Sequence, residues 1–245
     1  MEMSYLTQLI LTTLAALVAL TLHEFAHGYM AYKLGDNTAK SMGRLSLNPL
    51  KHLDVFGVLC MVFFHFGWAK PVPIDPRNFK NPRRGFALTA LAGPLTNLVL
   101  GFCSAFLYLL CLSTFKPSDA SFLFYLQLNI INFLYYFFIV NIGLGVFNLI
   151  PIPPFDGSRI LNVILPERLY FKVMKYEKQI YWGVIAWLFL GDAVYDALLR
   201  IPLIANIPAL SALAKIFSLS DILSDAVTAI ARGMLKFWSL IPILG

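Results

Sequence analysis

Charge is scarce in this chain. Of its 245 residues only 13% are Asp, Glu, Lys or Arg, while 59% are hydrophobic, and the mean hydropathy is +0.73. No soluble globular domain needs that much apolar surface, so a polytopic membrane protein is expected. Cysteine is nearly absent as well. Cys60, Cys103 and Cys111 stand in apolar stretches with no C-x-x-C, which excludes a disulfide framework or a cysteine-rich zinc module and reads as small buried hydrophobes in a reducing setting. There are no solenoid repeats and no low-complexity tract. A basic n-region is also lacking: Glu2 precedes the first apolar stretch, which argues for an integral span rather than a cleaved signal.

Three long uncharged windows are present, at residues 3–22, 85–115 and 120–155. Each supplies the ~20 apolar residues that cross a bilayer. Residues 179–200 form a weaker fourth window interrupted by Asp192 and Asp196, and 201–214 and 226–244 could add one further span or interfacial helices. Residues 55–69 are too short to span and read as a re-entrant segment. The expectation is an all-α core of about five or six spanning helices. A small strand-containing region is expected within 35–84, where 43–47 and 70–74 alternate in polarity and prolines mark an edge. The net charge of +6 is explained by topology, not by nucleic acid. Residues 37–84 hold Lys40, Arg44, Lys51, Lys70, Arg77, Lys80, Arg83 and Arg84, residues 151–179 hold five more basic residues, and 116–119 are nearly neutral. The positive-inside rule puts both basic regions in the cytoplasm.

What the chain does have is His23-Glu24-Phe25-Ala26-His27, an H-E-x-x-H motif at the foot of the first apolar window. With four histidines and four glutamates in the whole chain, a chance match has a probability on the order of one in a thousand. Residues four apart share a helix face, so His23 and His27 can hold one ion while Glu24 beside it handles a proton. Ionisable groups at membrane depth are costly and mark function. The site should lie near the cytoplasmic side, since His23 is about 28 Å along a helix from Ser4. A catalytic zinc usually takes three protein ligands. The best third candidate is Asp156, in Pro151-Ile152-Pro153-Pro154-Phe155-Asp156-Gly157, where prolines break the third window on the same side; a helix-cap role is the alternative.

H-E-x-x-H followed by N-x-x-P-x-P-P-x-D-G resembles the site-2 proteases, the intramembrane zinc metalloproteases. Ala92-Gly93-Pro94-Leu95-Thr96-Asn97 is similar to that family's G-P-x-x-N element, and residues 44–54 and 67–73 are similar to its small bacterial and archaeal members. The resemblance covers roughly residues 10–170, with neither a PDZ insertion nor a CBS pair. It implies one Zn²⁺ bound by His23, His27 and Asp156, Glu24 as general base, and a multi-pass protein of the cytoplasmic membrane that cleaves transmembrane segments of other proteins. Asn97 and Asn148 are then candidates for the oxyanion or the substrate backbone, with an interhelical hydrogen bond as the alternative for each. A strand edge in 35–84 could hold the unwound substrate. Residues 1–180 would form the protease core: helix 4–34, loop 35–84, helices 85–115 and 120–150, and loop 151–157. Residues 181–245 would form C-terminal membrane helices able to act as a gate, and self-association is left open.

The competing class is a metal-ion or proton transporter that uses the His/Asp cluster as a transit site. It calls for ionisable groups spread along a path, whereas these cluster at one depth. His52 and Asp54 read as loop-bonding or capping residues, His65 as a hydrogen-bonded interface histidine, and Asp192 and Asp196 as a solvated face.

Overall fold

The structure is a computed structural model that describes residues 4–64, 69–115 and 122–242. Its helices are α1 (Tyr5–Lys33), α2 (Thr38–Ser41), α3 (Val55–Phe64), α4 (Pro82–Thr114), α5 (Phe122–Asn148), α6 (Asp156–Ile164), α7 (Glu167–Lys175), α8 (Glu177–Leu199), α9 (Pro202–Ala205), α10 (Pro208–Ala214) and α11 (Leu219–Trp238). The all-α expectation is met. Among the described residues, α1, α4, α5 and α8 are long and apolar enough to cross a membrane, which is four helices rather than five or six. Helix α11 has the length, but Asp221, Asp225, Arg232 and Lys236 make it amphipathic. The short segment at 55–69 appears as the ten-residue α3; His65 lies outside the described residues, as does the neutral turn at 116–119.

The helices sort their side chains as lipid demands. Leu6, Ile10 and Leu14 on α1 and Leu88, Leu95 and Val99 on α4 are exposed, while Thr21, His23, His27, Thr89, Asn97, Ser104 and Asn141 are buried. Polar groups go inward because hydrocarbon offers them no partner. Helices α1, α4 and α5 pack against one another as the core. Helix α4 begins where Asn81 caps it, accepting a hydrogen bond from the Arg84 N–H (3.1 Å), with Pro82 at its first position, where no amide proton is needed. Helix α11 lies across α4 and α5. There Trp238 stacks against Phe102 and Phe106 and its indole N–H donates to the Phe102 carbonyl (2.9 Å).

The expected strands reduce to one isolated antiparallel bridge, Leu53 to Ala69. Pro71 and Pro73 have no N–H to give a ladder. Several other groups along the segment are taken: Lys70 N–H by the His52 carbonyl (2.8 Å), the Lys70 and Pro71 carbonyls by the Arg44 guanidinium, and Val72 N–H by Glu24. His52 and Asp54 do have the loop roles read from sequence. His52 Nε2 bonds the Ser46 carbonyl (2.7 Å) and Asp54 accepts from Gly57 N–H (2.9 Å). Asp192 is exposed, yet it also accepts from the Ser218 and Ser220 hydroxyls at the start of α11. Next to it, Trp187 donates to the Phe217 carbonyl (2.9 Å), so α8 is fastened to α11 at this corner.

Asp36 anchors the region below α1. It is fully buried and accepts from Thr38 N–H (3.0 Å), the Thr38 hydroxyl (2.5 Å), Asp75 N–H (2.8 Å) and Asn78 Nδ2 (2.8 Å). Burial pushes its pKa up, but these hydrogen bonds outweigh burial and hold it below the usual carboxylate value. A depressed carboxylate pKa contributes stability above the unfolded-state value, and that contribution disappears as pH falls through the folded value. Asp36→Asn is therefore expected to cost about 1–3 kcal/mol at neutral pH. In unfolding titrations of wild type and variant, the gap should close as pH drops below about 4.

Candidate metal centre

His23 and His27 stand one turn apart on α1, both buried, with ring centroids 4.5 Å apart at 89°. Their Nε2 atoms are 3.0 Å apart. Asp156, in the first turn of α6, brings Oδ2 to 3.2 Å from His23 Nε2 and 3.1 Å from His27 Nε2. These three are a group of ligand atoms among the described residues that could hold a metal. A tetrahedral zinc with bonds of roughly 2.0–2.1 Å sets its ligand atoms about 3.3 Å apart, so the triangle has zinc dimensions.

The far side of each imidazole says which atom faces the triangle. His23 Nδ1 meets Asn97 Oδ1 (2.5 Å) and His27 Nδ1 meets the Thr89 carbonyl (2.7 Å). Both partners are acceptors, which assigns the protons to Nδ1 and leaves Nε2 with a lone pair directed at the site. Asp156 Oδ2 is buried and receives no hydrogen bond. Three lone pairs converging at about 3 Å repel one another unless a cation lies between them. This donor set therefore fits a zinc ion.

The local sequence makes room for the centre. Gly93 on α4 faces both imidazoles: a Cβ there would lie 2.7 Å from His23 Cε1 and closer still to His27. Pro94 follows inside the helix and deprives it of one backbone donor, in the turn whose Thr89 carbonyl serves His27. Prolines 151, 153 and 154 end α5 and let the chain reverse into α6. Gly157 fits where the start of α6 backs onto the end of α5, since a Cβ would come within 2.6 Å of the Leu149 carbonyl carbon. Arg159, one turn beyond Asp156, pairs with Glu177 of α8 and covers the Phe86 ring. The helix that carries Asp156 is thereby tied to α8.

The triangle opens on a cavity of about 740 Å³. His23, Glu24, His27 and Asp156 form its polar end, with Phe86, Phe147 and Trp182 among the apolar walls and Asn148 also facing it. Glu24 is not part of the triangle; its Oε2 accepts from Val72 N–H (2.8 Å). A second cavity of about 580 Å³ lies between α1, α5 and α11, and it shares Leu20, Leu144 and Phe147 with the first. The structure places Asn97 away from the open side. Besides its bond to His23, its Nδ2 donates to Asn141 Oδ1 (2.8 Å) and reaches the Ala19 carbonyl at 3.4 Å, so its amide is engaged with the protein rather than free for an oxyanion. Asn148 faces the cavity but donates to the Leu144 carbonyl (3.0 Å). Asn141 was missed in the sequence, although an amide inside an apolar window is a signal of function or specific packing; the structure buries it fully.

The model of peptidase family M50 matches residues 11–190. The chain belongs to peptidase family M50. It is thus a metallopeptidase of the site-2 protease family. It is 41% identical over 182 residues to a Bacillus subtilis protein provisionally named zinc metalloprotease YwhC, covering 71% of this chain and 76% of that one. It is 30% identical over 165 residues to the provisionally named zinc metalloprotease Rip2 of Mycolicibacterium smegmatis, covering 65% of this chain and 59% of that protein. Zinc metalloprotease MJ0392 of Methanocaldococcus jannaschii is 30% identical over 159 residues, which cover 64% of this chain and 35% of that longer protein. No solved structure matches. The family match spans most of α1, all of α2 to α7 and part of α8, so it contains every residue of the triangle, while α9 to α11 lie beyond it.

Proposed function

We propose that this peptidase cleaves peptide bonds within transmembrane segments of other membrane proteins. His23, His27 and Asp156 would hold one zinc ion per chain and Glu24 would act as general base. The observation that carries this reading is the carboxylate of Glu24 beside three convergent ligand atoms, at the polar end of a cavity with mostly apolar walls. When bound there, zinc supplies Lewis acidity to a carbonyl oxygen and to water. The protein does the rest. Asn97 and the Thr89 carbonyl fix the two imidazoles; a Glu24 carboxylate oxygen accepts a proton from the attacking water and returns it to the leaving amine; and the cavity walls limit competing water. The positive charge of segments 37–84 and 151–179 supports a topology in which this end would face the cytoplasm, in a cytoplasmic membrane. A helical substrate must unwind before its peptide bond is open to attack.

The test is cleavage of a panel of single-span substrates by the peptidase in liposomes. Cuts inside the span, abolished by chelation and restored by zinc, are the expected result. Zinc-dependent cuts confined to soluble loops would sink the intramembrane reading, and metal flux without cleavage would favour a transporter. Asp156→Ala removes the ligand contributed by the α5–α6 break. It is expected to weaken zinc binding about 100-fold or more and to lower activity at limiting zinc, as read by chelator competition.

A further inference from the structure

Asn141 bonds neither to the triangle nor to the cavity, yet it ends a chain of hydrogen bonds whose direction is fixed. Its Nδ2 donates to the Phe137 carbonyl (2.7 Å), a group that can only accept. Its Oδ1 is therefore turned toward α4, where it accepts from Asn97 Nδ2 (2.8 Å). With its NH₂ so committed, Asn97 presents Oδ1 to His23 and accepts from Nδ1–H. Both amides are completely buried, so water cannot replace any link. The one other anchor on the Asn97 amide is the Ala19 carbonyl at 3.4 Å, a long contact. If Asn97 turned over, its NH₂ would face His23 Nδ1, the proton would move to Nε2, and that nitrogen could not ligate.

We propose that Asn141 is a positioning residue that sets the His23 tautomer through Asn97 and thereby makes Nε2 of His23 available to the metal. The inference rests on the zinc reading above. It gives the polar contact between α4 and α5 a task beyond joining helices: the fold of α5 determines which nitrogen of a residue on α1 carries a proton.

The test is zinc affinity by chelator competition in detergent, with the Co²⁺ absorption spectrum and the thermal unfolding of the metal-free protein measured alongside. Asn141→Leu is expected to weaken zinc binding about 10- to 100-fold. Asn97→Asp supplies a carboxylate that accepts from His23 Nδ1–H whichever way it is turned. In that background the Asn141→Leu penalty should fall to about threefold or less, because the carboxylate holds the His23 tautomer without Asn141, and the metal-free unfolding curves show how much of any coupling is structural. Asn141→Asp, which keeps the acceptor for Asn97, should stay within about threefold of wild type and serves if the leucine variant does not fold. Unchanged zinc affinity in Asn141→Leu, the same loss in the Asn97→Asp background, or a tenfold loss in Asn141→Asp would each overturn the inference. A wild type that binds no zinc after repletion removes the metal reading itself, an outcome separate from wild-type binding that the variants leave untouched.

Discussion

Glu24→Gln is expected to lower the cleavage rate by about 10²- to 10⁴-fold, the usual contribution of a positioned general base, while zinc stays bound. The substitution is nearly isosteric. A glutamine Oε1 can still accept the Val72 N–H that now bonds to Glu24 Oε2, so the segment over the cavity keeps its anchor. Neither Glu24 oxygen belongs to the group of ligand atoms formed by His23, His27 and Asp156, so the affinity for zinc should hold within a few-fold of wild type. The loss should appear in kcat rather than KM, because the proton transfer belongs to the transition state. Zinc content and single-turnover cleavage of one membrane substrate, measured on the same preparation, check both halves. A variant that keeps more than about a tenth of the activity leaves Glu24 without the role of base; a variant that loses zinc shows that the residue holds the centre together instead.

Gly93→Ala should have an effect of similar size through a different cause. Alanine is the better helix former by about 1 kcal/mol, so propensity alone predicts a gain. The added methyl, however, would sit within 2.7 Å of His23 Cε1 and closer to His27 Nε2 and Cε1. Neither ring has a free direction of retreat, since His23 is held by Asn97 and His27 by the Thr89 carbonyl. We expect zinc affinity and activity to drop together by about 100-fold, with the metal-free protein also destabilised, since overpacking costs about 1–3 kcal/mol against the ~1 kcal/mol gained in helix propensity. Gly183→Ala on α8, where nothing lies within 4 Å of the new methyl, is the matched control and should change neither. If Gly93→Ala retained full zinc affinity, the two imidazoles would have to be able to shift while still sharing one ion.

Both predictions depend on features that differ in how readable they were. The H-E-x-x-H spacing and the proline break before Asp156 are local patterns, and a helix period and a chain reversal are enough to bring their residues to one point. The apolar windows were legible for a similar reason, because lipid imposes length and composition directly on the chain. The strands at 43–47 and 70–74 were misread because alternation records only which side chains point apart. It says nothing of whether backbone groups are free to pair, and here Arg44, Glu24 and two prolines leave several of those in 70–74 engaged or absent. For 201–214 and 226–244 the sequence leaves a further span and interfacial helices both open; most of the second segment falls in α11, which is apolar on one face only. The amide of Asn97 could not be oriented from sequence at all: which of its atoms faces His23 is decided by Asn141, 44 residues away on another helix.

Leu20, Leu144 and Phe147 belong to the walls of both cavities. The chamber beside the metal ligands and the cleft between α1, α5 and α11 are thus neighbouring rooms that share these three residues as walls. Rotamer changes of exposed side chains take picoseconds to nanoseconds, whereas helix displacements take microseconds or longer. On the far side of those shared walls stand Gln8, Thr12, Thr13, Ser220 and Ser224. For the transmembrane substrate proposed above, giving up its own helical hydrogen bonds inside hydrocarbon, these amide and hydroxyl groups would be a substitute solvent.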